Sequence, residues 1–307
     1  MSKRWWSILI ILCSAAAGFA IFDILHNPSR DIISRSDKPA RIVSLTPNLT
    51  EILFALGLGE KIVAVSNDSD YPPEAANKNK VGTFWQPNTE AIIASKPDLV
   101  VTESFEQQKA AGESLKKLGY NVLSLKIESF EELFAAIKKI GDVTDCPQHA
   151  EKVVKDISNK LNTLRAKFSS NKRIKVLWVV QAEPLRIVGR NTFINEIIEL
   201  AGGENAIGAT IQKYPPIGTE ELMTCGAEVI IQSAMIKANI ADEQKAAEAF
   251  WSKWASLPAV KNNRIYVVES DTILRLGSRL PQGVETIGCY LHPDVLRQGN
   301  GTIKQVR

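Results

Sequence analysis

Glu90 and Glu220 form a repeated pair of ionisable positions in this 307-residue chain. Thr89-Glu90-Ala91-Ile92-Ile93 is followed by Asp98-Leu99-Val100-Val101. Thr219-Glu220-Glu221-Leu222-Met223 is followed by Glu228-Val229-Ile230-Ile231, at identical internal spacing. Each glutamate opens a helical run behind a threonine that can serve as N-cap, and the helix dipole favours an acidic residue there by about 0.3–1 kcal/mol. That is a sufficient structural reason for both. Duplicated carboxylates on duplicated lobes would equally suit a partner of two-fold symmetry carrying basic sockets. The other chemistry on offer is aromatic. Tyr71, ahead of Pro72-Pro73, and Trp85, ahead of Pro87, occupy proline-stiffened loops after apolar strand-like segments, where ligands of open α/β sheets bind. Such a ring offers a large rigid face to a flat molecule at low entropic cost, although aromatic residues at similar spacing often serve only to pack.

Catalytic signatures are missing. There is no G-x-G-x-x-G after a strand, no P-loop, no G-x-S-x-G and no H-E-x-x-H, so the chain reads as a non-enzyme without a catalytic cofactor. The three histidines, His26, His149 and His292, fall in distant elements. This argues against a His-rich metal site and for structural roles. Cys13, Cys146, Cys225 and Cys289 are widely spaced without a CxxC, imply no disulfide framework, and read as ordinary small buried residues.

Alternating strand and helix segments must position these residues. Ile42–Leu45, Ile62–Val65, Leu99–Val101 and Val122–Leu125 read as short buried strands. Thr50–Leu56, Thr89–Ser95 and Lys109–Leu118 read as helices between them, and Ser129 with Glu132 forms a capping box. The order argues for an α/β fold with parallel sheets. Ala150, Val153, Val154, Ile157, Leu161 and Leu164 instead describe one long amphipathic helix over Asp145–Phe168 with no strand beside it. The alternation resumes at Val176–Val180, and Asn195–Gly202 echoes Thr50–Gly57. Two Rossmann-like lobes joined by one stiff backbone helix, with a ligand cleft between them that opens only slightly, is the economical architecture.

Composition is consistent with this. A hydrophobic share of 45% and a charged share of 23% exclude wholesale disorder and fibrous structure, and a net charge of +3 is far from the basic excess of a nucleic-acid protein. Apolar residues concentrate at the N-terminus, where Lys3 and Arg4 precede the run Trp5–Phe22 with a late cluster of alanines. This reads as an export signal, cleaved or retained as an anchor; Leu12 is bulky for the residue before a lipoprotein cysteine at Cys13. The expected division is residues 1–25 as signal or anchor, 26–39 as linker, 40–144 as the first lobe, 145–170 as the connecting helix and 171–307 as the second lobe.

Arg41-Ile-Val-Ser-Leu-Thr-Pro-Asn-Leu-Thr-Glu-Ile-Leu53, Asp68-Ser-Asp-Tyr-Pro-Pro73, Gly82-Thr-Phe-Trp-Gln-Pro-Asn-Thr-Glu90 and Lys96-Pro-Asp-Leu-Val-Val101 together resemble a known family over about residues 40 to 295. It is that of the substrate-binding proteins of bacterial ABC importers in the helical-backbone class, which carry cobalamin, haem and ferric siderophores; the cobalamin carriers are the most similar. The resemblance implies a monomer outside the inner membrane that captures a corrinoid and delivers it to a permease dimer. It implies ligand contacts from Tyr71 and Trp85, from Tyr214 before Pro215-Pro216, and from Asp271 and Arg275 in the last cleft loop, Ser270–Arg279. It further implies that Glu90 and Glu220 dock onto arginines of the permease. Two departures bear on ligand identity: Arg186 stands where the cobalamin carriers present an aromatic residue, and Arg279 lacks the usual preceding proline. The alternative within the family is haem or a ferric siderophore, with Tyr71 as an iron ligand and Arg186, Arg275 and Arg279 as anion partners.

Overall fold

Short β-branched runs that are apolar on both faces can be satisfied only between two helical layers, and they define the first sheet. The computed structural model describes residues 38–169, 172–234, 239–269, 273 and 275–294. β1 (Ile42–Ser44), β2 (Ile62–Val65), β3 (Asn79–Lys80), β4 (Leu99–Glu103) and β5 (Val122–Leu125) lie in the order β3-β2-β1-β4-β5, every pairing parallel. Helices α1 (Pro47–Ala55), α2 (Pro73–Ala76), α3 (Thr89–Ala94), α4 (Glu106–Lys117) and α5 (Phe130–Val143) alternate with them. The first helix begins at Pro47 rather than Thr50. Proline at the first helical position needs no donor, and Thr46 before it is extended.

After α5 a single helix, α6 (Pro147–Ser169), runs for 23 residues, about 35 Å at 1.5 Å per residue. It buries the stripe Ala150, Ile157, Leu161, Leu164 and Phe168. The second half contains β6 (Ile174–Gln181), β7 (Arg186–Ile187), α7 (Phe193–Leu200), β8 (Gly203–Asn205), α8 (Thr219–Thr224), β9 (Val229–Ser233), α9 (Ile240–Trp251), α10 (Pro258–Lys261), β10 (Ile265–Val268) and α11 (Leu280–Leu291). Its sheet runs β10-β9-β6-β7, with β8 also paired to β6. Here the all-parallel expectation fails at one strand. β7 is antiparallel to β6, because the short Ala182–Leu185 link leaves room for a hairpin but not for a crossover.

The internal repeat extends to hydrogen bonds. Gly57 and Gly202 end matched helices at φ +77° and +80°, the left-handed stop that glycine adopts freely. The Asp98 carboxylate accepts from the Ala40 and Arg41 backbone N–H groups at 2.9 and 3.0 Å, and the Glu228 carboxylate accepts from Lys175 N–H at 3.1 Å. β4 and β9 therefore enter their sheets tied to the neighbouring strand in the same way. One apolar core continues from the first sheet through α5 and α6 into the second, including Ile42, Ile52, Ile137, Leu161, Phe168, Trp178 and Ile287. Pro39–Arg307 is one compact unit holding both lobes. His292 is buried, its ring stacked on Phe168 and 3.2 Å from the Gly202 carbonyl, a structural role; His149 is exposed. Cys146, Cys225 and Cys289 are free and only half-buried, not buried as expected. No described helix is long and apolar enough to cross a membrane, and Cys13, His26 and the apolar run Trp5–Phe22 lie outside the described residues.

Candidate ligand cleft

Loops after the carboxyl ends of the parallel strands carry the exposed aromatic rings. Tyr71 is 40%, Trp85 55% and Tyr214 37% exposed, whereas Trp178 and Trp251 are fully buried. The three rings singled out from sequence therefore do not serve as core packing. Trp85 is nonetheless held. Its ring lies 4.7 Å from Phe84 and 5.7 Å from Phe105, centroid to centroid. The Phe84 backbone N–H donates to Asp68 Oδ2 at 3.0 Å, and the Phe84 carbonyl accepts from Gln108 Nε2 at 2.5 Å. Gln108 is wholly buried, reaching from α4, and also donates to the Leu45 carbonyl at 3.2 Å. Tyr71 follows a network of buried hydroxyls: Ser69 Oγ lies 2.8 Å from Ser66 Oγ and 3.0 Å from Thr50 Oγ1, and Lys80 Nζ donates to the Ser69 carbonyl at 2.8 Å.

The loop before α11 reaches across to the first lobe. Arg279 forms a bidentate pair with Glu51 at 2.9 and 2.5 Å and lays its guanidinium 4.1 Å from the Tyr71 ring centroid. Arg275 pairs with Asp70 at 3.1 Å and donates to the Asp68 carbonyl at 3.3 Å. Asn48 Nδ2 donates to the Leu276 carbonyl at 3.3 Å and to Glu103 Oε1 at 2.5 Å. On another edge Lys213, next to Tyr214, pairs with Glu128 at 2.7 Å. Arg186 donates to the Tyr214 carbonyl at 3.1 Å. Asp271 lies outside the described residues.

Burial sets the electrostatics of this surface. Glu103, with Asn48 and Thr46 as neutral hydrogen-bonding partners, is pushed up to about 7 by desolvation. Burial also raises Glu51, against the opposing pull of Arg279. Lys213 holds Glu128 below the usual carboxylate range. Desolvation, with Glu128 nearby, raises Tyr214. Among the described residues no group of three or more His, Cys, Asp or Glu side chains converges as a metal site.

Glu90 and Glu220 are exposed, each in the first turn of its helix. The expected caps are corrected. Thr89 and Thr219 are already helical; Asn88 caps α3 by accepting from Ala91 N–H at 3.0 Å, and Gly218 precedes α8 with no side-chain cap. Sequence reasoning missed Glu103, Asn48, Glu51 and Gln108. Overlaying the two lobes could have singled out Glu103, because its counterpart at the end of β9 is Ser233.

The chain belongs to the periplasmic binding protein family, whose model matches residues 42–272. It is 30% identical over 236 residues to the vitamin B12-binding protein of Vibrio parahaemolyticus, covering 76% of this chain and 83% of that one. The crystal structure of the periplasmic vitamin B12 binding protein BtuF of Vibrio cholerae superposes with a TM-score of 0.70 at 28% identity, over 85% of this chain and 99% of that one. A periplasmic haem binding protein from Pseudomonas aeruginosa matches at 27% identity and a TM-score of 0.70, over 83% and 94% of the respective chains. The two-lobe α/β architecture is that of ABC-importer binding proteins.

Proposed function

We propose that the cargo is a corrinoid, cobalamin or a close relative, captured outside the inner membrane and delivered to an ABC permease dimer. The observation that carries this reading is the set of exposed but anchored rings, Tyr71, Trp85 and Tyr214, set in carboxyl-end loops that meet from both lobes. Flat-face burial against such rings would supply affinity, and their anchored backbones would reduce the entropy lost on binding. Similarity to two vitamin B12-binding proteins supports the same cargo. Asp271 is assigned to the ligand's rim.

Haem or a ferric siderophore is the second reading, favoured by the exposed Tyr71 and by the similarity to the Pseudomonas protein. The charge distribution argues against it. Siderophore complexes are often anionic, yet Arg275 and Arg279 are engaged with Asp70 and Glu51, and Arg186 with a backbone carbonyl.

Glu90 and Glu220 are assigned to docking, one per lobe, and the segment of residues 1–25 to export or anchoring. The proposed division is residues 40–144 as the first lobe, 145–170 as the connecting helix and 171–307 as the second lobe, in a protein that acts as a monomer. Titrating the purified protein from about Ser36 onward with cyanocobalamin, dicyanocobinamide or haemin while following tryptophan fluorescence tests the cargo. Quenching by corrinoids alone, with a smaller amplitude in Trp85→Phe, supports the reading; quenching by haemin alone refutes it.

A further inference from the structure

Glu103 closes β4 where the two lobes meet. Asn48 donates to it and to Leu276 of the second lobe at once. Two residues further on, Phe105 touches the exposed Trp85 ring. Glu128 faces Glu103 from the segment after β5 and pairs with Lys213, the neighbour of Tyr214. Trp85 is thus linked to the end of β4 through Phe105, and Tyr214 to the same region through Lys213 and Glu128.

We propose that Glu103 is a specificity-determining residue at the floor of the cleft, accepting a hydrogen bond from a ligand arm that ends in an amide and rejecting an arm that ends in a carboxylate. The inference rests on the corrinoid reading above, since a corrin carries amide arms and haem carries propionates. A buried carboxylate is usually matched to a cation. Among the described residues the charge acting on this one is that of Glu128, and the cations of the neighbouring loops pair with other acids: Arg279 with Glu51, Arg275 with Asp70, and Lys213 and Lys126 with Glu128. Neutral Asn48 donates to one of the roughly four lone-pair positions that a carboxylate offers, while the neighbouring Thr46 hydroxyl donates its proton to Asn48 Oδ1, so capacity for a further donor remains. The fold itself does not require an acid there. Its counterpart Ser233 ends β9 and accepts a hydrogen bond from Trp178 Nε1 at 3.1 Å. Desolvation holds Glu103 close to neutral pH in its titration, so the rejection of a carboxylate strengthens as pH rises and Glu103 ionises, with Glu128 already negative beside it.

Binding of cyanocobalamin and of its isomeric monocarboxylic acids, and of haemin and its bis-amide, is measured at pH 5.5 and 8 on wild type and Glu103→Gln. At pH 8 the wild type should bind at least one acid about tenfold more weakly than the matching amide, the cost of facing an unpaired buried charge. The penalty should shrink at pH 5.5 and be lost in Glu103→Gln. Acid-to-amide ratios unchanged by pH, or equal in the two proteins, overturn the assignment. If only the haem pair binds, the corrinoid reading fails while its ratio still decides the role of Glu103. If neither pair binds, both fail. A thermal melt of Glu103→Gln at pH 5.5 that matches wild type shows that any change in ratio is not misfolding.

Discussion

The Trp85 indole is more than half exposed, yet the backbone of Phe84 just before it is tied to half-buried Asp68 and to buried Gln108. Removing the ring should therefore cost binding and little stability. Trp85→Ala is expected to weaken corrinoid binding by about 1–3 kcal/mol, roughly 5- to 150-fold, with an unchanged melting temperature. Calorimetry on the two proteins checks both halves of that statement. Glu103 makes a prediction about stability. Its carboxyl titrates near 7 when folded against an ordinary 4.5, so the folded protein holds the proton more tightly. That contribution is fully present below about 4.5 and is lost as the pH rises through 7. Glu103→Gln should match wild type in urea denaturation at pH 5 and exceed it by about 2–3 kcal/mol at pH 8. Parallel pH profiles would contradict the buried carboxyl. The ligand role proposed for Tyr71 and Trp85 comes from the family resemblance, but their loop positions were legible in sequence because an aromatic residue near a loop proline is a local pattern. Glu103 was not, because its environment is assembled from Asn48 on α1, Glu128 after β5 and Leu276 from the other lobe.

At the level of elements, the repeat was readable where it follows from local chemistry. Helix stops at Gly57 and Gly202 and acid ties at Asp98 and Glu228 recur at matched spacing because both lobes build the same strand–helix unit. Helix starts were read less well. α1 opens at Pro47 rather than Thr50, because proline is favoured at the first helical position, and Asn88 rather than Thr89 caps α3, since adjacent polar residues both satisfy the capping preference. The contacts of the loop before α11 were invisible, because Arg279 meets Glu51 across more than two hundred residues of sequence. Glu51 is 2% exposed, so leaving it without Arg279 strands a buried charge. Arg279→Met should destabilise the fold by about 3–5 kcal/mol, and adding Glu51→Met should restore much of it. A double-mutant cycle in urea measures this, and additive losses would show that the pair is not coupled.

Over the whole molecule, α6 and the shared core around Phe168 and Trp178 join the lobes as one body, which favours small opening over wide hinge closure. Glu90 and Glu220 lie in the first turns of matched helices, one on each lobe, and in the proposed docking role would meet the partner at a fixed spacing. Exchanging both for lysine should abolish ligand delivery in a transport assay and leave ligand affinity unchanged; a loss of affinity would refute the docking assignment. The two-lobe fold and the importer class were legible over about residues 40 to 295, apart from the antiparallel β7, because the Ser-Asp-Tyr-Pro-Pro and Trp-Gln segments and the long connecting helix are sequence-local. Ligand identity depends on how arginines and carboxylates pair across the cleft, and those pairings appear only in three dimensions. The central claim rests on cargo. Isothermal titration of the protein with cyanocobalamin and with haemin tests it most directly. One-to-one binding of cyanocobalamin at micromolar affinity or tighter, undisturbed by haemin, is the predicted result. Binding of haemin alone, with a tyrosinate–iron band that disappears in Tyr71→Phe, would contradict it.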